Sequence, residues 1–349
     1  MIIEKLWLND FRNYVSHEVT FSSGLTALVG ANGVGKTNLV EALSYLSTLK
    51  SFRSSPTESL VRKGCSSAFV RAEGVRDDRS VLIEVEISKG RSRAQVNKQK
   101  LKRTRDLLGA LQVTVFSPDD LALIKEGPSL RRNFLDNLCI AIDPSSDVLF
   151  QNLEKSLKQR NALLKQIRAG KTSDALSTLD VWDKRLSEFG ESIANLRTDL
   201  LKQLLPFVNS GYDSLAGSSH DVGIDYQLSW SGMLIDALID SRENDIRRAV
   251  TTIGPHRDDV VITLDSLSAR NEASQGEQRT LALALRLASH NLIKARLGEP
   301  PLLLLDDVLS ELDEERSIAL LQNLPDGQTV ITSAVELPPQ VVPDLLIRV

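Results

Sequence analysis

Residues 30 to 37 read GANGVGKT. Glycines at 30, 33 and 35 let a backbone wrap tightly enough for successive N–H groups to face an anion, and a following helix adds its positive end. Lys36 brings a mobile positive charge to β and γ phosphates, and Thr37 a hydroxyl to Mg²⁺. Gly30, Ala31, Asn32, Gly33, Val34, Gly35, Lys36 and Thr37 are therefore expected to hold the phosphates of ATP, with Lys36 also acting in catalysis. Far downstream, LLLLDD at 302 to 307 is an apolar run suited to a buried parallel strand that ends in two carboxylates. Asp306 would hold Mg²⁺ together with Thr37, and Asp307 would orient or deprotonate an attacking water. A third group, Ser274-Gln275-Gly276-Glu277-Gln278, opens a run of leucines and alanines. Ser274 stands at the cap of that helix, where a hydroxyl and free N–H groups can take an anion.

These groups need elements to carry them. Residues 2 to 11 and 17 to 30 alternate in the strand manner, the second run ending in Leu28-Val29 just before the glycine loop. From about Lys36, the apolar residues Leu39, Val40, Leu43 and Leu46 follow helical spacing. Between 67 and 101 the short runs AFVRAEGV, VLIEVEIS and RAQVN read as antiparallel hairpins. A long helical section follows over roughly 119 to 210. Within it Leu179, Trp182, Leu186, Phe189, Ile193, Leu196 and Leu200 alternate by three and four, the pattern of a coiled-coil seam. Leu153, Leu157, Leu164 and Ile167 form an earlier stripe, and Ala-Gly-Lys-Thr-Ser-Asp joins the two, so a short antiparallel hairpin is expected. Beyond Gly211 the pattern is mixed, and strands and helices resume near 258.

With 349 residues, 42% of them hydrophobic and 25% charged, the chain is expected to be a soluble globular protein of about two domains. Cys65 and Cys139 have no metal-ligand spacing, and so few thiols fit a reducing cytoplasm and exclude a disulfide framework. The start MIIEKLWLNDF lacks a signal-peptide layout, and no apolar stretch approaches a membrane span. Net charge is −4, unevenly spread: residues 1 to 115 hold 18 Lys and Arg against 11 Asp and Glu, a balance of +7, leaving −11 for the remainder. Residues 89 to 105 carry eight basic side chains and no acidic one. Such a strip suits a phosphate backbone; the plain alternative is a solvated hairpin. Its DNA-binding candidates are Lys98, Lys100, Lys102, Arg103 and Arg105.

SQGEQ followed by an aliphatic helix, 32 residues before Asp306, resembles the signature sequence of ABC-type ATPases. Ser310-Glu311-Leu312-Asp313 matches the D-loop that follows their second acidic motif. Phe11-Arg12-Asn13-Tyr14, Phe116-Ser117-Pro118-Asp119-Asp120, Gln159-Arg160-Asn161, Gly254-Pro255-His256-Arg257-Asp258-Asp259 and SQGEQRT together resemble the bacterial RecF family of recombinational repair proteins, from the first strand to the last. The resemblance implies an α/β fold, an ABC-type P-loop ATPase head over 1–118 and 250–349, with a mainly helical lobe inserted at 119–249 as in SMC-like ATPases. It implies that Ser274, Gln275, Gly276 and Glu277 close over ATP held by a second subunit, and that Arg12 lies against the adenine, a guanidinium plane on a base. It further implies a homodimer formed on ATP, binding to single- and double-stranded DNA, and cooperation with RecR and RecO in loading RecA, in the cytoplasm.

Two departures from the general ABC pattern bear on mechanism. Asp307 stands where glutamate is usual, one methylene shorter, so slow hydrolysis is expected, with ATP timing dimerisation. VITSAVE has no histidine at the usual switch position, and Thr332 or Ser333 would reach a γ-phosphate only weakly. The Q-loop position falls near Asp119 or Asp120. His256, within GPHRDD, reads as part of a locally paired turn without a catalytic role. Arg131 and Arg132 fit either a DNA contact or an internal brace. Competing functions are the energising subunit of an ABC transporter, which shares all three motifs, and a small-molecule kinase, which leaves SQGEQ unexplained.

Overall fold

The computed structural model describes residues 1–53, 55–88, 90–102, 104–170 and 175–349, without the side chains of 91, 104, 105, 175 and 176. The chain divides into two compact units: Met1–Leu121 with Phe207–His220 and Ser274–Val349, and Ala122–Pro206 with Asp221–Ala273.

The first unit contains two sheets. One is antiparallel, in the order Tyr14–Thr20, Ile2–Phe11, Ser67–Arg76, Arg79–Ser88, Arg91–Val96, Gln99–Lys100. Its strands alternate buried and exposed positions, as one-sided sheets do. The other is wholly parallel, in the order Leu345–Arg348, Leu25–Val29, Thr329–Ser333, Leu302–Leu305, Val113–Phe116. Leu302–Leu305 is buried at all four positions, the pattern of a strand covered on both faces. The expected single strand over 17–30 is thus two. Tyr14–Thr20 is buried only at Val19, whereas LTALV is buried at its last four positions, and the Ser22-Ser23-Gly24 segment passes the chain from one sheet to the other.

The helix Lys36–Thr48 is buried around most of its circumference, from Leu39 through Ser47. A helix buried on nearly all sides lies between layers, and its polar members such as Glu41 then need partners inside. Leu39, Leu43 and Leu46 share one core with Leu6, Leu8, Val70 and Val85 of the antiparallel sheet and with Leu28, Leu304 and Val330 of the parallel one. Gln328 fastens the two sheets: its amide oxygen accepts the Ile3 N–H at 2.8 Å, and its Nε2 donates to the carbonyls of Ile3 at 2.6 Å and Ser22 at 2.7 Å. The helices Gln275–Leu297 and Glu314–Gln322 belong to the same unit.

In the second unit, the helix Ser146–Arg168 and the early part of Ala175–Ala216 share two apolar clusters. Leu163 and Leu164 meet Leu179, while Leu153 lies with Leu186 and Ile193, an order that runs in opposite directions along the two helices. Leu179, Leu186 and Ile193 are fully buried, but Leu234 and Leu238 also fill the cluster around Leu186 and Ile193. The seam is therefore shared with the short helix Leu234–Asp240 instead of being a two-helix zipper. The expected connection at 171–174 lies outside the described residues.

The division differs from the expected boundaries. Residues 250–273 go with the second unit, because Asp259–Leu264 pairs with Val222–Gln227 over six residues, a strand that aperiodic sequence after Gly211 concealed. Residues Phe207–His220 go with the first unit, where Gly211 lies against Ala284.

Candidate functional site

The glycine loop leaves the strand Leu25–Val29 and ends on Gly35, which caps the helix. Gly33 and Gly35 have φ of 86° and 123°, a region that glycine alone enters freely. At Gly35 there is also no room: a Cβ would lie 2.6 Å from the Tyr14 hydroxyl and 2.9 Å from Asn13 Nδ2, whereas Gly33 has nothing within 4 Å. Lys36 is buried at the helix start, with Nζ donating to the carbonyls of Gly30 at 2.6 Å and Ala31 at 2.9 Å. Gly30 N–H donates to the Ser333 carbonyl at 3.2 Å. Ala31, Asn32 and Gly33 form the exposed crest.

Thr37 Oγ1 donates to Asp306 Oδ1 at 2.9 Å across 269 residues of chain. The glycine loop and the acidic strand end expected to work together are thus in contact. Burial raises the Asp306 carboxyl above the ordinary range; the hydroxyls of Thr332 and Thr37 pull it back, Asp307 raises it further, and Arg53 lowers it. Asp307 has φ of 50°, and its carbonyl accepts Ser310 Oγ at 2.8 Å. The Thr332 hydroxyl turns to Asp306 at 2.9 Å, and Ser333 Oγ accepts the Val335 N–H at 3.2 Å.

Arg12 is pinned by three residues. Nε and Nη2 form a two-pronged pair with Glu41 at 2.7 and 2.6 Å, and further bonds reach Ser55 Oγ at 2.8 Å and the Ser59 carbonyl at 3.1 Å. Glu41 is fully buried and also accepts Ser51 Oγ at 2.5 Å. A buried carboxylate requires such pairing. Asn13 Nδ2 donates to the Val34 carbonyl at 3.2 Å, and Asn38 Nδ2 to Asn13 Oδ1 at 2.8 Å, so the FRNY turn braces the glycine loop directly. Burial pushes the Tyr14 phenol up to about 12. The sequence reading noted FRNY but missed Asn38, Glu41 and Arg53. Glu41, a lone charge within LVEAL, was the available signal; Arg53 carried none.

Ser274 forms a second group. It caps Gln275–Leu297 in a reciprocal box: its Oγ accepts the Glu277 N–H at 3.3 Å, and its own N–H donates to Glu277 Oε2 at 2.6 Å. These bonds to Ser274 hold the Glu277 carboxyl below its usual range. Ser274 and Gln275 are exposed, so the helix end faces outward. The D-loop segment lies beside it. Glu311 pairs with Arg279 at 2.8 Å, and a Cβ on Gly276 would lie 3.1 Å from Arg316 Nη1. Asp120 accepts Arg286 of the same helix and the Ser117 N–H, which makes it a fastening of this unit.

Arg131 and Arg132 are braces. Arg131 is buried, paired with Asp259 at 2.9 and 3.0 Å and donating to the carbonyls of Leu123 and Glu126; Arg132 donates to the Asp258 carbonyl at 2.5 Å. Burial pushes His256 down to about 4, with Arg257, Arg132 and Arg160 adding to the shift against the Thr251 carbonyl. Lys98 sits at φ 66° beside Asn97 at φ 50°, the two-residue tip of a hairpin, and Lys98, Lys100 and Lys102 are exposed. Arg103 and the side chain of Arg105 lie outside the described residues.

A glycine loop opening a buried helix from a parallel strand, met by a carboxylate at the end of a second strand and followed by an outward-facing capped serine, defines an ABC-type P-loop head of the SMC class. The RecF/RecN/SMC N terminal domain family matches residues 2–336. The chain belongs to the RecF family: it is 43% identical to the DNA replication and repair protein RecF of Frankia alni, covering 96% of this chain and 94% of that one. The Streptomyces avermitilis RecF is 42% identical over the same shares. A solved structure of the recombination mediator protein RecF with ATP, in the RecFOR pathway, superposes with a TM-score of 0.90 at 32% identity, covering 99% of this chain and 94% of that one. The Pyrococcus furiosus Smc head domain shares the fold at 18% identity, with a TM-score of 0.56 over 96% of this chain and 90% of that one. Among the described residues no helix is long and apolar enough to cross a membrane.

Proposed function

We propose that the protein is an ATP-dependent DNA-binding ATPase of recombinational repair and replication restart, which dimerises on ATP. The observation that carries this is the 2.9 Å bond between Thr37 and Asp306, which joins the two halves of a phosphate site in a RecF-family chain. On binding, Lys36 exchanges its two carbonyl partners for phosphate oxygens, and the N–H groups of 33 to 37 surround the anion. Thr37 and Asp306 fit Mg²⁺, a hard cation that takes a few protein oxygens beside phosphate and water. The Thr37 proton is given to Asp306, which leaves the hydroxyl lone pairs for a ligand. Mg²⁺ held there supplies neutralisation of phosphate charge. Arg12 offers the face of a guanidinium already fixed by Glu41 for the adenine to stack on.

Ser274, exposed at a helix start, completes the site of a second copy. Asp307, with its short carboxylate, orients water for slow hydrolysis, so that ATP times the life of the dimer. The protein grips single- and double-stranded DNA at gaps, with the strip at Lys98, Lys100 and Lys102 meeting phosphates. It works with RecR and RecO to load RecA within the SOS response, in the cytoplasm. Similarity to proteins named for DNA replication and repair supports this over a transporter subunit.

The test is DNA binding and oligomeric mass, with and without ATP, for wild type, Lys36→Met and Ser274→Arg. Wild type should dimerise and bind DNA with ATP, Lys36→Met should do neither, and Ser274→Arg should bind ATP as a monomer. A wild type that ignores DNA in both states sinks the repair reading; a Ser274→Arg variant that dimerises normally sinks the trans role.

A further inference from the structure

Thr332 is fully buried at the end of Thr329–Ser333, between the strands that lead to the glycine loop and to Asp306. Its Oγ1 lies 2.9 Å from the Asp307 amide nitrogen and 2.9 Å from Asp306 Oδ1. The direction of both bonds is forced. An amide only donates and an ionised carboxylate only accepts, so this hydroxyl takes the Asp307 N–H and gives its own proton to Asp306. Thr37 places a second hydroxyl on the same oxygen, Oδ1, at 2.9 Å. Held from both sides, the carboxylate cannot turn freely about its own bond.

The same contact fixes the next residue. Asp307 has a left-handed backbone that a non-glycine residue adopts only where surroundings impose it. Thr332 holds its N–H, and Ser310 holds its carbonyl at 2.8 Å. One residue on, the Ser333 carbonyl accepts the Gly30 N–H at 3.2 Å, at the first residue of the glycine loop. Two adjacent residues of one strand therefore set the loop and both carboxylates in register. A valine would fill about the same volume in this buried strand, so what threonine adds is the hydroxyl.

We infer that Thr332 is a positioning residue, whose hydroxyl sets the rotation of the Asp306 carboxylate and the turn that aims Asp307, and so decides how much a divalent cation adds to nucleotide affinity. It rests on the proposed role of 30–37 and Asp306 in holding a nucleotide with Mg²⁺.

The experiment is a titration of the full chain with a fluorescent ATP analogue in EDTA and in saturating Mg²⁺, for wild type, Thr332→Val, Thr332→Ser and Lys36→Met. Affinity in EDTA should match between wild type, Thr332→Val and Thr332→Ser. The gain on adding Mg²⁺ should fall about tenfold in Thr332→Val, the scale of one hydrogen bond to a charged group, and return in Thr332→Ser. An undiminished gain in Thr332→Val overturns the inference. So does a loss of affinity in EDTA that parallels the loss in Mg²⁺, which would make Thr332 a filler of the core. If wild type binds no more tightly than Lys36→Met under either condition, the nucleotide reading itself fails and takes the inference with it.

Discussion

Burial of single residues ties this protein's stability to pH. His290, 1% exposed on the helix that Ser274 caps, is pushed down to about 4 from its ordinary 6.5. The unfolded chain therefore binds a proton between those values while the folded one does not. Stability from this group is present above about 6.5 and is lost as pH falls toward 4, at about 1.4 kcal/mol per pH unit. His290→Leu should flatten the dependence by that slope, as read by urea unfolding at several pH values between 7 and 4.5. An unchanged slope would show that His290 titrates normally. The glycines of the loop separate by their surroundings in the same way. Gly33→Ala meets only backbone strain, about 1–2 kcal/mol, and should still bind nucleotide. Gly35→Ala meets Tyr14 and Asn13 as well, and should lose nucleotide binding along with several degrees of melting temperature. Parallel thermal melts and nucleotide titrations separate the two.

Among the elements, the helices of the second unit are joined by charge as well as by leucines. Arg160, from Ser146–Arg168, is wholly buried and pairs at 2.6 Å with Asp183 and at 2.6 Å with Asp245, each also fully buried and each from a different helix. Thr251 accepts a further bond at 2.9 Å, and Arg242 reaches Asp183 from the outside. Removing one member leaves uncompensated charge, so Arg160→Met should cost about 3–5 kcal/mol. Adding Asp183→Leu and Asp245→Leu should recover much of that loss, because buried ion clusters replaced whole are often neutral. Urea unfolding of the single and triple variants measures both. A single variant as stable as wild type would mean that water reaches the cluster.

For the whole molecule, the uneven charge of the sequence becomes a spatial question. The net charge of −4 disfavours DNA on average, yet Lys98, Lys100 and Lys102 project from a hairpin at the edge of the antiparallel sheet. If these three meet phosphates, replacing them by alanine should weaken binding to all sequences alike. It should also reduce the slope of log affinity against log salt by up to about 3. Filter binding or anisotropy between low and moderate salt checks this. An unaltered slope would leave the strip a solvated surface and move the DNA contact elsewhere.

What was legible from sequence was local. GANGVGKT between a strand and a helix, SQGEQ before an aliphatic run, and LLLLDD each announce their conformation through neighbours close in the chain, and the structure forms each as read. The helix beginning at Lys36 and the antiparallel hairpins of 67–101 follow from periodicity alone. Only the tertiary structure decided how those pieces meet. The Thr37 to Asp306 contact spans 269 residues, and no local pattern encodes a pairing that distant. The strand Val222–Gln227 becomes visible only once Asp259–Leu264 supplies its partner. From sequence alone Arg12 is expected against the adenine, and Arg131 and Arg132 fit either a DNA contact or an internal brace; folding sets the buried Glu41 beside Arg12, Asp259 beside Arg131 and the Asp258 carbonyl beside Arg132, and these partners bind them in place. Thr332, read as a weak contact to phosphate, faces inward, because the parallel register of Thr329–Ser333 beside Leu302–Leu305 turns its hydroxyl to Asp306.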